Sequence, residues 1–207
     1  MLLSVRLRLL ALTALVGSGS NAIADAMLVP ASAAPWSPIP SQAIYETGDA
    51  WIVGETRYRL YGVQSCLRGA TFTNALGVRR DCGEASLAVL ASLVHDLQPL
   101  CHQAAYRAET KTAFLFCFAN LTEGPARGAR VDLGTALITL GWAYAAVGPD
   151  GRAIHSPYAV AEQLAKGAHA GLWAFPDAPN PNASILRAYR DAHFGASAAS
   201  RSGGATP

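Results

Sequence analysis

The segment Arg57-Tyr58-Arg59-Leu60-Tyr61-Gly62-Val63 carries groups that could do chemistry. Read as a strand, it puts Arg57, Arg59 and Tyr61 on one face and Tyr58, Leu60 and Gly62 on the other, so it can fill a core and present guanidinium groups at once. Arg59 supports two readings. Its planar fork suits an anion such as phosphate, sulfate or carboxylate, and it equally suits a structural ion pair with Asp49 on a neighbouring strand. The five histidines, His95, His102, His155, His169 and His193, sit at neither metal nor triad spacing.

Four cysteines, Cys66, Cys82, Cys101 and Cys117, include no Cys-x-x-Cys pair, which argues against zinc and for two disulfides. Of the three connectivities, the sequential one fits best. Cys101 and Cys117 fall on two predicted strands whose hairpin centres near Glu109, which places them opposite one another. Cys66 and Cys82 bracket a loop containing Gly69, Asn74 and Gly77.

Beyond Val63 the chain continues Gln64-Ser65-Cys66-Leu67, and Arg57 to Leu67 resembles the Arg-Leu-x-Gly-Val/Ile-Asp-Ala/Thr-Pro-Glu motif of staphylococcal-nuclease-like (thermonuclease) domains. Thr47-Gly48-Asp49-Ala50 stands where that family has Asp-Gly-Asp-Thr. Asp132-Leu133, Leu140-Gly141-Trp142-Ala143, Tyr158, Glu162 and Gly171-Leu172-Trp173 follow in the family's order. The resemblance implies an α+β fold, an OB-fold five-stranded β-barrel with about three packed helices. It also implies calcium-dependent phosphodiester hydrolysis, with Arg59 on the phosphate and Asp49 on the metal. At the remaining positions this chain has Gln64 for a calcium carboxylate, Leu67 for the Glu that prepares water, and Thr112 for a second phosphate-binding Arg, with Lys111 beside it. Calcium wants several oxygen ligands, carboxylates among them, and Asp49 alone is a poor set. Losing one catalytic group of this kind commonly costs about 10²–10³ in rate.

The expectation is therefore a nuclease-like protein with an eroded site, a non-catalytic binding or structural module with no cofactor. One alternative is a calcium-dependent nuclease or phosphodiesterase with a rearranged site, rebuilt from Asp81, Glu84 or Lys111. Another, from a different class, is an accessory protein of envelope or exopolysaccharide production.

The elements that must position these groups follow from pattern. Arg6 and Arg8, the apolar run from Leu9 to Val16 and the Ala-x-Ala sites ending at Ala24 and Ala26 read as a secretory signal peptide over residues 1–26. The run is short for a bilayer span, so the expected product is exported, periplasmic or secreted, with no transmembrane segment after cleavage. Removing Arg6 and Arg8 leaves 14 of the 16 basic residues against 13 or 14 acidic ones. Such a neutral balance lacks the basic excess of a non-specific nucleic-acid binder, leaving a local patch at Arg57, Arg59, Arg68, Arg79 and Arg80 for an anionic ligand or nucleic acid. Residues 27–41, with four prolines, read as a linker, 42–176 as the nuclease-like domain and 177–207 as a partly disordered extension. Within the domain, period-2 runs predict strands near 43–46, 50–53, 57–63, 100–106 and 112–119. Helical spacing predicts helices over about 84–97 and 133–140, and a third from Ser156-Pro157 toward Gly171. A short helix is expected near 184–193.

Overall fold

The computed structural model describes residues 35–202. The segment read as a signal peptide lies outside them, as do residues 27–34 of the linker and the last five residues. Seven short strands come first: β1 (Ser37–Pro38), β2 (Ile44–Thr47), β3 (Ala50–Val53), β4 (Thr56–Leu60), β5 (Val63–Ser65), β6 (Thr71–Thr73) and β7 (Arg79–Asp81). Helix α1 (Cys82–Leu97) then separates them from β8 (Leu100–Arg107), β9 (Thr112–Asn120) and β10 (Arg130–Asp132). The chain finishes with α2 (Leu133–Thr139), β11 (Ala143–Ala145), α3 (Ser156–Gly167), a 3-10 turn (Gly171–Ala174) and α4 (Pro181–Ser202).

The fold is α+β. One sheet curls into a half barrel in the order β1-β8-β9-β4-β3-β2, with β10 paired to the end of β9. Every pairing in it is antiparallel except β4 with β9, where Arg59 lies opposite Phe114. Five of its strands are those predicted between residues 43 and 119. On β9 the period-2 pattern divides Ala113, Leu115, Cys117 and Ala119, which are buried, from Phe114, Phe116 and Phe118, which are half-buried on the other face. The buried face joins Trp51 and Leu60 to Leu90 of α1, Leu133, Leu137 and Ile138 of α2 and its flank, and Tyr158 of α3 in one core.

Helix α1 starts where Asp81 accepts a hydrogen bond from the Glu84 amide and ends at Gln98 in the left-handed conformation. The third helix begins at Ser156 with Pro157 in its first turn, as expected, but stops at Gly167 rather than reaching Gly171. Helix α4 is longer than the short helix its sequence suggested. Both disulfides pair sequentially, Cys66 with Cys82 and Cys101 with Cys117, as the spacing predicted. Cys101 and Cys117 are direct register partners in the β8–β9 pair. Among the described residues, no helix is long and apolar enough to cross a membrane.

The alternation predicted a strand running from Arg57 to Val63. It ends at Leu60 because Gly62 has φ +72°, a conformation open to glycine and strained for other residues. A Cβ there would also fall 2.8 Å from that of His155. The turn lifts β5 off the main sheet to pair with β11, Gln64 opposite Tyr144. That departure brings Gln64 and Ser65 back toward Asp49.

Candidate functional site

Asp49 sits in the turn between β2 and β3, where Gly48 packs so closely on α1 that a Cβ would fall 2.6 Å from the Cβ of Ser86. The packing buries the carboxylate, leaving Asp49 1% exposed. A carboxylate taken out of water needs several donors, and it has three. Oδ1 accepts from the hydroxyls of Thr47 and Ser65, each at 2.7 Å, and Oδ2 accepts from Arg59 Nε at 2.7 Å. Arg59 Nη2 donates to Gln64 Oε1 at 2.7 Å, and Gln64 Nε2 donates onward to the Ser65 carbonyl. Asp49, Arg59, Gln64, Ser65 and Thr47 thus form a closed polar network in which every side-chain end of Gln64 is used.

Two clefts flank this network. The larger, of about 480 Å³, is walled by the sheet face at Arg59, Tyr61, Ala105, Arg107 and Phe114, by the loop at Val147 and Ile154, and by Asn182, Ile185 and Tyr189 of α4. The smaller, of about 300 Å³, holds Glu46, Thr47, Asp49, Arg57, Arg59, Gln64, Ser65 and Leu67. Arg59, Gln64 and Ile185 line both.

The structure brings together Asp49, Arg59, Gln64 and Leu67, four of the residues singled out by sequence. Thr112 is not with them. It is buried opposite Arg57 at the start of β9, where its hydroxyl donates to the Thr110 carbonyl. Lys111 is committed to Glu55 at 2.6 Å. Asp81 caps α1 and accepts from the Gly69 amide, which hold its carboxyl below the usual range. Neither Asp81, Glu84 nor Lys111 lines the Asp49 cleft. The anticipated basic patch divides. Arg57 makes a bidentate pair with Glu46 and Arg68 reaches the Glu46 carbonyl, while Arg79 bonds to Thr71 in the β6–β7 hairpin.

Sequence reasoning missed the cation that does share the larger cleft with Arg59. Arg107 lies directly opposite Thr112 in the antiparallel register of β8 and β9, so the charge absent at 112 is present one strand over. The cysteine pair alone could not have found it, because the register set at Cys101 and Cys117 shifts by one residue between Gln103 and Ala105. Also missed were the walls from the C-terminal segment, which is tied down by three contacts. Asp177 accepts from the amide and hydroxyl of Thr73, the buried Tyr144 hydroxyl donates to the Pro179 carbonyl, and Asn182 Nδ2 donates to the Ala145 carbonyl. Burial pushes the Tyr144 hydroxyl to a higher pKa, so it stays a donor.

No known protein family matches the chain and no curated protein matches its sequence.

The residues present do not fit calcium. Asp49 is the sole carboxylate in the network, and a cation already occupies one of its oxygens. Gln64 Oε1 is likewise taken by that cation. What remains chemically free is the rest of the fork of Arg59, a residue that lines both clefts, and Arg107, which has no hydrogen bond or ion pair among the described residues.

Proposed function

We propose that this is an exported OB-barrel protein of thermonuclease-like descent that no longer hydrolyses phosphodiesters and instead binds an anion through Arg59. The observation that carries this reading is the closed Asp49–Arg59–Gln64 network. Groups that would hold a metal in an active relative are here bonded to one another. The strand order supports the barrel. A three-strand meander, β2-β3-β4, has β9 laid parallel beside β4 and β8 outside it, with α1 in the crossover, and this is the order of an OB barrel left open at one seam. Two disulfides support an oxidising compartment and hence export.

The purified protein should leave single- and double-stranded DNA intact in millimolar calcium, and calcium should not raise its unfolding midpoint, because an ion that does not bind the native state cannot stabilise it. Inorganic phosphate should raise that midpoint in the native sequence and not in an Arg59→Gln variant. Calcium-dependent cleavage that disappears in Arg59→Ala would overturn the proposal in favour of a rearranged nuclease.

A further inference from the structure

We infer that the larger cleft is a binding site for a small amphiphilic carboxylate, its head between Arg59 and Arg107 and its apolar body along Phe114 toward α4. This rests on the reading of Arg59 as an anion-binding group and adds the class of ligand. Three observations lead to it.

The first is the placement of charge. Arg59 is on β4 and Arg107 on β8, with β9 between them. Phe114 is the register partner of Arg59, and Thr112, two residues back, is the partner of Arg107. Strand spacing sets the two arginines about 10 Å apart across the sheet and about 7 Å apart along it. That is within the combined reach of two arginine side chains, so both can meet one anion above the floor formed by Phe114. Neither cation is fully neutralised. Arg107 has no partner among the described residues, and Arg59 uses only Nε and Nη2. Among the described residues, no acidic side chain lines this cleft.

The second is the character of the remaining wall. Leu60, Val63, Ala146, Val147, Ile154 and Ile185 supply aliphatic surface, and Tyr61 and Tyr189 supply rings. A volume of about 480 Å³ falls in the range of small-molecule sites, which are mostly apolar with a few placed polar groups.

The third is how few hydrogen-bonding side chains the wall offers beyond its two arginines and the Tyr61 and Tyr189 hydroxyls. Both ends of Gln64 are occupied and Asn182 Nδ2 is on the Ala145 carbonyl, leaving the Asn182 carbonyl oxygen as the buried acceptor without a partner. A nucleobase, with donors and acceptors around its edge, would lose several bonds to water on entry, and each unsatisfied group weakens binding about tenfold or more. An alkyl or phenyl body loses none.

The test is calorimetric titration of the full mature chain with butyrate, hexanoate and octanoate, beside octanol, inorganic phosphate and thymidine monophosphate. Affinity should climb along the acid series by up to about fourfold per methylene. Octanol should bind at least about tenfold more weakly than octanoate, since a hydrogen bond to a charged group is worth that much. Arg107→Gln alters an exposed side chain with no partner, so it keeps the fold, and it should weaken octanoate by about tenfold or more. Carboxylate or phosphate binding that needs Arg59 but gains nothing from chain length would overturn this inference and leave the anion-binding function standing. Thymidine monophosphate binding more tightly than octanoate would overturn it in favour of a nucleotide. If none of the anions binds, both readings fail.

Discussion

Replacing Arg59 with Met, alone and with Asp49→Asn, tests whether Asp49 and Arg59 stabilise the fold as a pair that satisfies itself. Asp49 accepts three hydrogen bonds while almost fully buried, and Arg59 provides the only positive charge among the three donors. Removing one partner of a fully buried ion pair costs about 3–5 kcal/mol, because the other charge is left unpaired. The Arg59 side chain is 33% exposed, and the Thr47 and Ser65 hydroxyls stay on the carboxylate, so the expected loss falls to about 2–3 kcal/mol. Asp49→Asn should cost about 1–2 kcal/mol, since Arg59 can turn its free charge to solvent. The double variant leaves no unpaired charge. It should therefore be less destabilised than the sum of the singles, by a coupling of about 1–3 kcal/mol. Urea unfolding of the four proteins at neutral pH measures every corner of this cycle, and unchanged slopes would show that the same two states are compared. If the two losses add to within about 0.5 kcal/mol, the pair does not stabilise the fold, and the account of a self-satisfied site is wrong.

Each disulfide spans 16 residues, so removing either by paired Cys→Ala replacement should lower unfolding free energy by about 3 kcal/mol. Equilibrium denaturation of the two variants checks this, and a loss under about 1 kcal/mol at either would refute the loop-closure argument. Acid should release the C-terminal segment where Asp177 holds it. The Thr73 hydroxyl and amide keep the Asp177 carboxyl below its ordinary range. Its folded pKa is lowered, so its contribution is complete above the unfolded value near 3.8 and is lost as pH falls through the folded one. Hydrogen exchange at the Thr73 amide should accordingly quicken in acid relative to its neighbours and be fast at all pH in Asp177→Ala, which has no acceptor. Equal protection in that variant would show that the contact does not anchor the segment.

Much of the scaffold was legible because it is written in local periods. Alternation marked the five main strands, and the recurrence of Leu87, Leu90, Val94 and Leu97 marked α1. The cysteines gave the β8–β9 register as far as Gln103 before any coordinates did, and the irregularity that follows was not foreseen. The Asp49–Arg59 pair was one of the two readings offered for Arg59, legible because Asp49, in the β2–β3 turn, immediately precedes Ala50, the register partner of Arg59. Gln64 was placed at the site, but its partner was not foreseeable, because the turn at Gly62 takes β5 out of the sheet its sequence suggested. Ile185 and Tyr189 reach the cleft from more than a hundred residues beyond Arg59 in the chain, through anchors at Asp177, Pro179 and Asn182 that no periodicity encodes. Thr112 was aligned by motif to a position that the fold uses for burial.

The irregularity between Gln103 and Ala105 in β8 acts as a change of phase. Up to Gln103 the even-numbered residues of this strand share a face with Phe116 and Phe118. After the extra residue, the odd-numbered ones do. Arg107 opens on the cleft only because of that shift. A hairpin one residue shorter at position 104 would keep its disulfide and its turn. It would also leave Arg107 opposite Thr112 and facing the cleft, because without the extra residue the alternation runs unbroken from Gln103 to Ala105 and beyond. A single deletion there would thus leave the cation in the cleft, whereas a β8 that kept Ala104 but lacked the irregularity would turn Arg107 to the side of Cys101. The one spare residue on this edge is what lets two odd-numbered residues, Cys101 and Arg107, serve opposite faces of the same strand.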